Sequence, residues 1–205
     1  MRRMSHESAV YLLRHGETEW SRSGKHTGRT DIALTSEGEQ QARRAGGVLS
    51  ALRATSVPPA LVCSSPRSRA VRTAELAGLE VDNQTELLAE WDYGEYEGRT
   101  TEEIREKVPH WTVWSHPVPG GESAQDVHKR ALSIVDKARA ILPRGDVVLI
   151  AHGHFLRVLI ATWLGGQPED GVHYGLEPAA VSVLGYERGI EQIKALSVPP
   201  LETVD

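Results

Sequence analysis

The chain has 205 residues, 40% of them hydrophobic, which is enough for one compact domain around a single core. Its formal net charge of −5 disfavours nucleic acid as a general partner, so any anion site has to be a local one. Arg2 and Arg3 are followed by no apolar stretch, and nowhere do about 18 uncharged apolar residues run together, so the expectation is a cytoplasmic protein with no export signal and no membrane partner.

In chain order, the apolar run from Ala9 to Leu13 reads as a buried strand over Val10–Leu13, and it ends in Arg14, His15 and Gly16. An imidazole is thereby set beside a guanidinium where open α/β sheets bind ligands, beyond the carboxyl ends of their strands. A first helix is expected from about Thr35 toward Leu52, because Ser36 and Glu39 have capping-box spacing. A second strand, Leu61–Cys63, holds the chain's single cysteine, which can form no internal disulfide and reads as a core thiol in a reducing compartment. The next helix is predicted to open at Ser65-Pro66, with serine as cap and proline in the first turn, and to run to about Ala77.

Residues 99–119, a short helix followed by Trp111, Trp114 and prolines, read as an excursion over the sheet edge that serves as lid or pocket wall. Trp91, Tyr93 and Tyr96 read with those tryptophans as packing residues. Gly120-Gly121-Glu122-Ser123 marks the start of a long helix to Leu142, with Val127, Ala131, Ile134, Val135, Ala138 and Leu142 on one stripe. Val147–Ala151 is a further strand, Phe155–Leu164 a helix after it, and Val181–Tyr186 a strand whose alternation suggests an exposed edge and a possible homodimer. The pattern predicts one domain over 1–205, a three-layer α/β/α sandwich with a mostly parallel central sheet.

Element boundaries each deliver a residue able to handle a phosphoryl group. Arg14 and His15 end the first strand, Arg69 lies early in the helix after Ser65-Pro66, Glu90 follows Leu87-Leu88-Ala89, and His152 ends the Val147–Ala151 strand. Phosphoryl transfer asks for a nucleophile, for charge balance on the equatorial oxygens and for a proton at the leaving oxygen, and these residue types cover all three. His152 and His154 could instead be a metal pair, but no third ligand stands nearby in sequence, and no metal is expected. His154 itself reads as a helix-start residue. Asp92, Glu95 and Glu97 crowd Glu90, and Arg67 and Arg72 flank Arg69, so position alone does not choose among the carboxylates. His6, His26, His110, His116, His128 and His173 carry no motif and read as surface residues.

The sequence resembles the histidine phosphatase superfamily, also called the phosphoglycerate mutase-like family, whose signature matches Arg14-His15-Gly16-Glu17-Thr18. The likeness covers nearly the whole chain. Thr27-Gly28, Ser64-Ser65-Pro66 with Arg69-Ala70, Glu90 with Tyr93-Gly94, Gly121-Glu122-Ser123 and Ala151-His152-Gly153 follow in the family's order. The resemblance implies a phosphoglycerate mutase-like fold and a small-molecule phosphomonoester substrate, with no cofactor. It further implies His15 as the nucleophile that becomes phosphohistidine, Glu90 as proton donor, and Arg14, Arg69 and His152 as the phosphate pocket. Ser21, Thr27, Gly28, Ser123 and Gly153 are the expected substrate-binding residues.

Physical chemistry supports these roles. Two guanidinium groups disfavour a protonated imidazole and so keep the nucleophile available. Arginine binds phosphate oxygens in two places and never loses its charge. Glu90 could give a proton to the leaving oxygen if its pKa is raised, then take one from the attacking water. Backbone N–H groups of Gly153 and His154 are expected to point at the phosphate. Within the family, Trp91 to Pro119 holds no paired arginine of the kind mutases use, and the Leu88-to-Gly94 run looks like small bacterial acid phosphatases. Metal-independent hydrolysis is therefore expected, the alternatives being a cofactor-dependent phosphoglycerate mutase and a non-catalytic phosphate-binding module.

Overall fold

In a computed structural model of the protein, which describes residues 7–200, the apolar runs assemble into one six-stranded sheet. Arg2, Arg3 and His6 lie outside the described residues. The strands are β1 (Val10–Arg14), β2 (Leu61–Ser64), β3 (Asn83–Gln84), β4 (Val147–Ala151), β5 (Val181–Glu187) and β6 (Ile190–Val198), in the order β3-β2-β4-β1-β5-β6. The first four are mutually parallel, and β5 runs antiparallel to both its neighbours, β1 and β6. The expected mostly parallel sheet is what is found.

Side chains alternate between the faces of the sheet, so β1 and β4 serve two cores at once. Val10, Leu12, Val147, Leu149 and Ala151 join one cluster with α5 (Ala124–Ile141) and α6 (Gly153–Trp163). Tyr11, Leu13, Val148 and Ile150 join the other, where α2 (Ser36–Arg53) and α3 (Ser68–Leu76) contribute Ala45, Leu49, Ala70 and Ala74. Helices therefore cover both faces, giving three layers. On α5 the buried stripe is Val127, Ala131, Ile134, Val135, Ala138 and Ile141, the helical period read from the sequence. Each fully buried valine or isoleucine there contributes roughly 1.5–3 kcal/mol.

Two caps differ from expectation. Thr35, not Ser36, caps α2, its hydroxyl accepting the Gly38 N–H at 2.9 Å. Helix α3 starts at Ser68 behind Arg67, which supplies no side-chain cap, so neither Ser65 nor Pro66 opens it. The edge expected at Val181–Tyr186 is also not free: β5 lies between β1 and β6, and a dimer through it is ruled out by that topology. Beyond α4 (Thr101–Arg105), Trp111 and Trp114 are buried in the core cluster with α5 and α6, and Thr101 lines the cavity described below. Among the described residues no helix is long and apolar enough to cross a membrane.

The topology fixes where ligands meet the sheet. β1 and β4 are adjacent, with Arg14 opposite Ala151, yet the chain leaves β1 toward α2 on one face and leaves β4 into α6 on the other. That divergence opens a crevice at the carboxyl ends of both strands. The loop after β1 is docked tightly on α2: a Cβ on Gly16 would stand 2.3 Å from the Gly38 carbonyl oxygen, and one on Gly38 would stand 2.1 Å from that of Glu17. Only glycine permits this approach at either position.

Candidate active site

His15 is buried one residue past β1, held by its N–H to the Ala151 carbonyl at 3.0 Å. Its ring is oriented by a 2.7 Å hydrogen bond between Nδ1 and the carbonyl of Gly16. A carbonyl only accepts, so Nδ1 carries the proton and Nε2 keeps its lone pair, which makes no hydrogen bond within the described protein. Burial, then the charges of Arg69 and Arg14, hold the imidazole well below its usual pKa of 6.5. The sequence had named the guanidinium groups; desolvation is the larger cause.

Arg14 passes one guanidinium N–H to the carbonyl of Leu176, while its buried Nε has no partner. It lines the same cavity as His15. Arg69 is placed differently. Its Nη groups donate to the carbonyls of Thr30, Thr27 and Gly28 at 3.0, 3.1 and 3.2 Å, and its Nε donates to His152 Nδ1 at 3.2 Å. The glutamate at 97 completes this frame, accepting the Gly28 and Thr30 N–H groups. Gly28 is thus part of the frame under the site, not of the cavity lining, and Arg69 is a buried brace with little donor capacity left for a ligand.

His152 is fully buried, its ring centroid 5.1 Å from that of His15. Since its Nδ1 accepts from Arg69, its Nε2 bears the proton, and that N–H donates to Ser65 Oγ at 2.7 Å. Both ring nitrogens are engaged within the protein, and His152 is not among the residues that line the cavity. The serine read as a helix cap is in fact this acceptor.

Glu90 is buried, with Oε1 accepting the N–H groups of Trp91 and Phe155 at 2.9 and 2.8 Å and Oε2 accepting that of His154 at 3.0 Å. Burial pushes its pKa up, against these three hydrogen bonds and the charge of Arg69. The His154 N–H expected to face phosphate is therefore given to Glu90: the positive end of α6 positions the carboxyl group. Of the competing carboxylates, Asp92 pairs with Arg29 at 2.8 Å and Glu97 holds the Gly28 loop, and among the described residues Glu90 is the one acidic side chain that lines the cavity. Arg67 and Arg72 are likewise occupied, by Glu86 and by Glu39 and Glu75.

Of the residues expected to bind substrate, Ser21, Thr27 and Gly153 line the cavity. Ser123 does not; it caps α5 in a reciprocal pairing with Asp126. Several lining residues escaped the sequence reading. His26, taken for a surface residue, is buried against Tyr93 with ring centroids 4.7 Å apart. Tyr93 and His154 meet at 2.5 Å between hydroxyl and Nδ1. Burial holds the Tyr93 pKa well above 10 and that of His154 well below 6.5, so the phenol donates to a neutral ring. Arg157 lies one helical turn beyond His154, and Lys25 closes the list. The His154-to-Arg157 spacing, which puts both on one face of α6, was the available signal. Among the described residues no group of three or more His, Cys, Asp or Glu side chains is arranged to hold a metal ion.

An oriented imidazole with one open nitrogen, an arginine beside it and a buried carboxyl across a shared cavity define an α/β enzyme of the phosphoryl-transfer class. The profile of the histidine phosphatase superfamily, branch 1, matches residues 10–199. An acid phosphatase of Mycobacterium tuberculosis is 45% identical over 189 residues, 92% of each chain. A probable phosphoglycerate mutase GpmB of Salmonella paratyphi C is 34% identical over 167 residues, covering 76% of this chain and 74% of that one. The solved structure of the open reading frame Rv3214 from Mycobacterium tuberculosis superposes with a TM-score of 0.90 at 42% identity, covering 95% of this chain and 99% of that one. The chain belongs to the histidine phosphatase superfamily, and it is a phosphatase.

Proposed function

We propose that the protein hydrolyses small phosphomonoesters without a metal ion, through a phosphohistidine on His15 Nε2. The observation that carries this reading is the Nδ1–H to Gly16 carbonyl bond, which leaves Nε2 as the one ring nitrogen with a lone pair, on a residue that lines one cavity with Arg14 and Glu90. In the first step Nε2 attacks phosphorus in line, the Nε2–P bond forms, and the P–O ester bond breaks. The Glu90 carboxyl protonates the departing oxygen. In the second step water gives a proton to the Glu90 carboxylate and its oxygen takes the phosphoryl group, releasing phosphate and restoring His15.

Arg14 offers N–H groups and charge to the transferring phosphoryl oxygens, and its unpartnered Nε is a donor in need of an acceptor. Arg69 and His152 act from beneath, keeping His15 desolvated and neutral. A reduced, buried Cys63 suits a cytoplasmic enzyme. The test is phosphate release from p-nitrophenyl phosphate in the presence of a chelator, compared with His15→Ala. Release that survives the chelator and is lost in the variant is the expected result. Conversion of 3-phosphoglycerate to its 2-isomer without release would make the enzyme a mutase instead.

A further inference from the structure

The cavity is about 270 Å³, below the range that holds drug-sized ligands, and Leu176 contributes its single aliphatic side chain. An apolar leaving group would find little to bury against. Apart from Glu90 and two glycines, the rest of the wall is cationic or donor-bearing, although the chain as a whole carries a net charge of −5. Arg14 and His15 account for one phosphate. Arg157, Lys25 and His154 remain, and the reaction described above uses none of their side chains.

Arg157 is held as a fixed cation. Its Nε and one Nη donate to the carbonyls of Gly171 and Val172, both at 2.8 Å, and its guanidinium carbon stands 4.6 Å from the centre of the Trp114 ring. These bonds set its plane, and among the described residues the other Nη has no acceptor and no carboxylate pairs with the guanidinium. Lys25 lies on the same wall, its ammonium 5.9 Å from the Trp20 ring and paired with no acid among the described residues. His154 accepts the Tyr93 hydrogen bond at Nδ1, so its Nε2 carries an N–H that has no acceptor among the described residues. Two cations that no acid pairs with among the described residues, and a neutral donor, thus share one small cavity with the nucleophile, and Glu90, which also lines it, is committed to the N-terminus of α6.

Resting on the phosphatase reading, we propose that the substrate carries a second anionic oxygen group, a carboxylate or a second phosphate, bound by Arg157 and Lys25 with His154 Nε2–H as a further donor. The fixed guanidinium plane suits two-point binding of such a group, and the lysine adds charge without fixed geometry. The small volume limits the spacer between the two anionic groups to a few atoms. The arrangement selects by charge: a neutral compound of the same size leaves two cations desolvated and unpaired.

The test compares three substrates of equal carbon length, glycerol 3-phosphate, 3-phosphoglycerate and glycerol 1,3-bisphosphate, with p-nitrophenyl phosphate as reference. The wild type is expected to favour at least one doubly anionic compound over glycerol 3-phosphate by about tenfold or more in kcat/KM, the better of the two showing which group is preferred. Arg157→Met should bring that ratio close to one, and Lys25→Met should lower it severalfold. Lys25 is half-buried and its ammonium makes no hydrogen bond among the described residues, so the second variant keeps the test decisive if loss of Arg157 disturbs the fold. Release from p-nitrophenyl phosphate with no preference for a second acid, or a preference unchanged in Lys25→Met and a folded Arg157→Met, overturns the inference and leaves the phosphatase reading intact. No release from any of the four overturns both.

Discussion

Ser65 Oγ accepts a hydrogen bond from His152 Nε2 at 2.7 Å, and this contact fixes the tautomer of the ring that packs beside the nucleophile. With Ser65 below and Arg69 on the other nitrogen, His152 is neutral and immobile. Burial and the charge of Arg69 hold its pKa well below 6.5. The result is a second imidazole that shapes the site of the first without competing for its ligand.

Replacing Ser65 by alanine leaves that N–H buried without an acceptor, at a cost of about 1–3 kcal/mol. Thermal unfolding should show a drop of several degrees, accompanied by a lower kcat as His15 loses its fixed neighbour. An unchanged melting temperature would mean that the hydrogen bond contributes nothing to the fold.

Glu90→Gln separates the two roles of the carboxyl group. Proton donation matters most for poor leaving groups, so hydrolysis of an alkyl phosphate should fall by roughly 10²–10⁴, and that of p-nitrophenyl phosphate by much less. The amide also turns an N–H₂ toward backbone N–H groups that Glu90 now satisfies, either at His154 or at both Trp91 and Phe155, so a modest loss of stability should accompany the change. Equal losses on both substrates would remove Glu90 from the proton-transfer step.

Arg69→Lys keeps the charge and removes the fork. Up to three backbone carbonyls, those of Thr27, Gly28 and Thr30, lose a donor, and His152 Nδ1 loses its partner. A destabilisation of at least about 2 kcal/mol is expected, each unsatisfied buried group costing about 1–3 kcal/mol. Urea unfolding measures it. A lysine variant as stable as the parent would contradict the bracing role.

Acid should weaken the fold through His26. Burial lowers its pKa from 6.5 to about 4, so the unfolded chain takes up a proton on this ring before the native protein does. The stabilisation is complete above pH 6.5 and is lost as pH falls toward 4, to a total of about 3 kcal/mol from this residue. Melting temperature followed across that range should decline, and His26→Gln should flatten the decline. A variant with the parent's pH profile would show that another group governs acid stability.

Much of this was legible because apolar runs mark buried strands. β1, β2, β4 and β5 announce themselves in Val, Leu and Ile, and the α5 stripe in its period. The segment Ile190–Val198 was not, since it interleaves Glu191, Gln192, Lys194 and Ser197 and is mostly half-exposed, and the two exposed residues of β3 carry no pattern at all. Ser65-Pro66 imitates a helix start by local chemistry, but the hydroxyl goes to a histidine 87 residues away. The same limit hid His26 and Arg157: their burial and partners come from chain segments that approach only after folding. His15, Arg14 and Glu90 were found because each sits in an ordered motif, whereas the division between groups that face the cavity and groups that brace it depends on hydrogen bonds no motif encodes.

The central claim is that His15 Nε2 carries the phosphoryl group. Rapid acid-free quenching of the enzyme during turnover, followed by phosphorus NMR of the denatured protein, tests it directly. The expected result is one phosphoramidate, labile in acid and stable in base, at Nε2 of His15 and missing from His15→Ala. Phosphate on Nδ1, on another residue, or on no residue during active turnover would contradict the account.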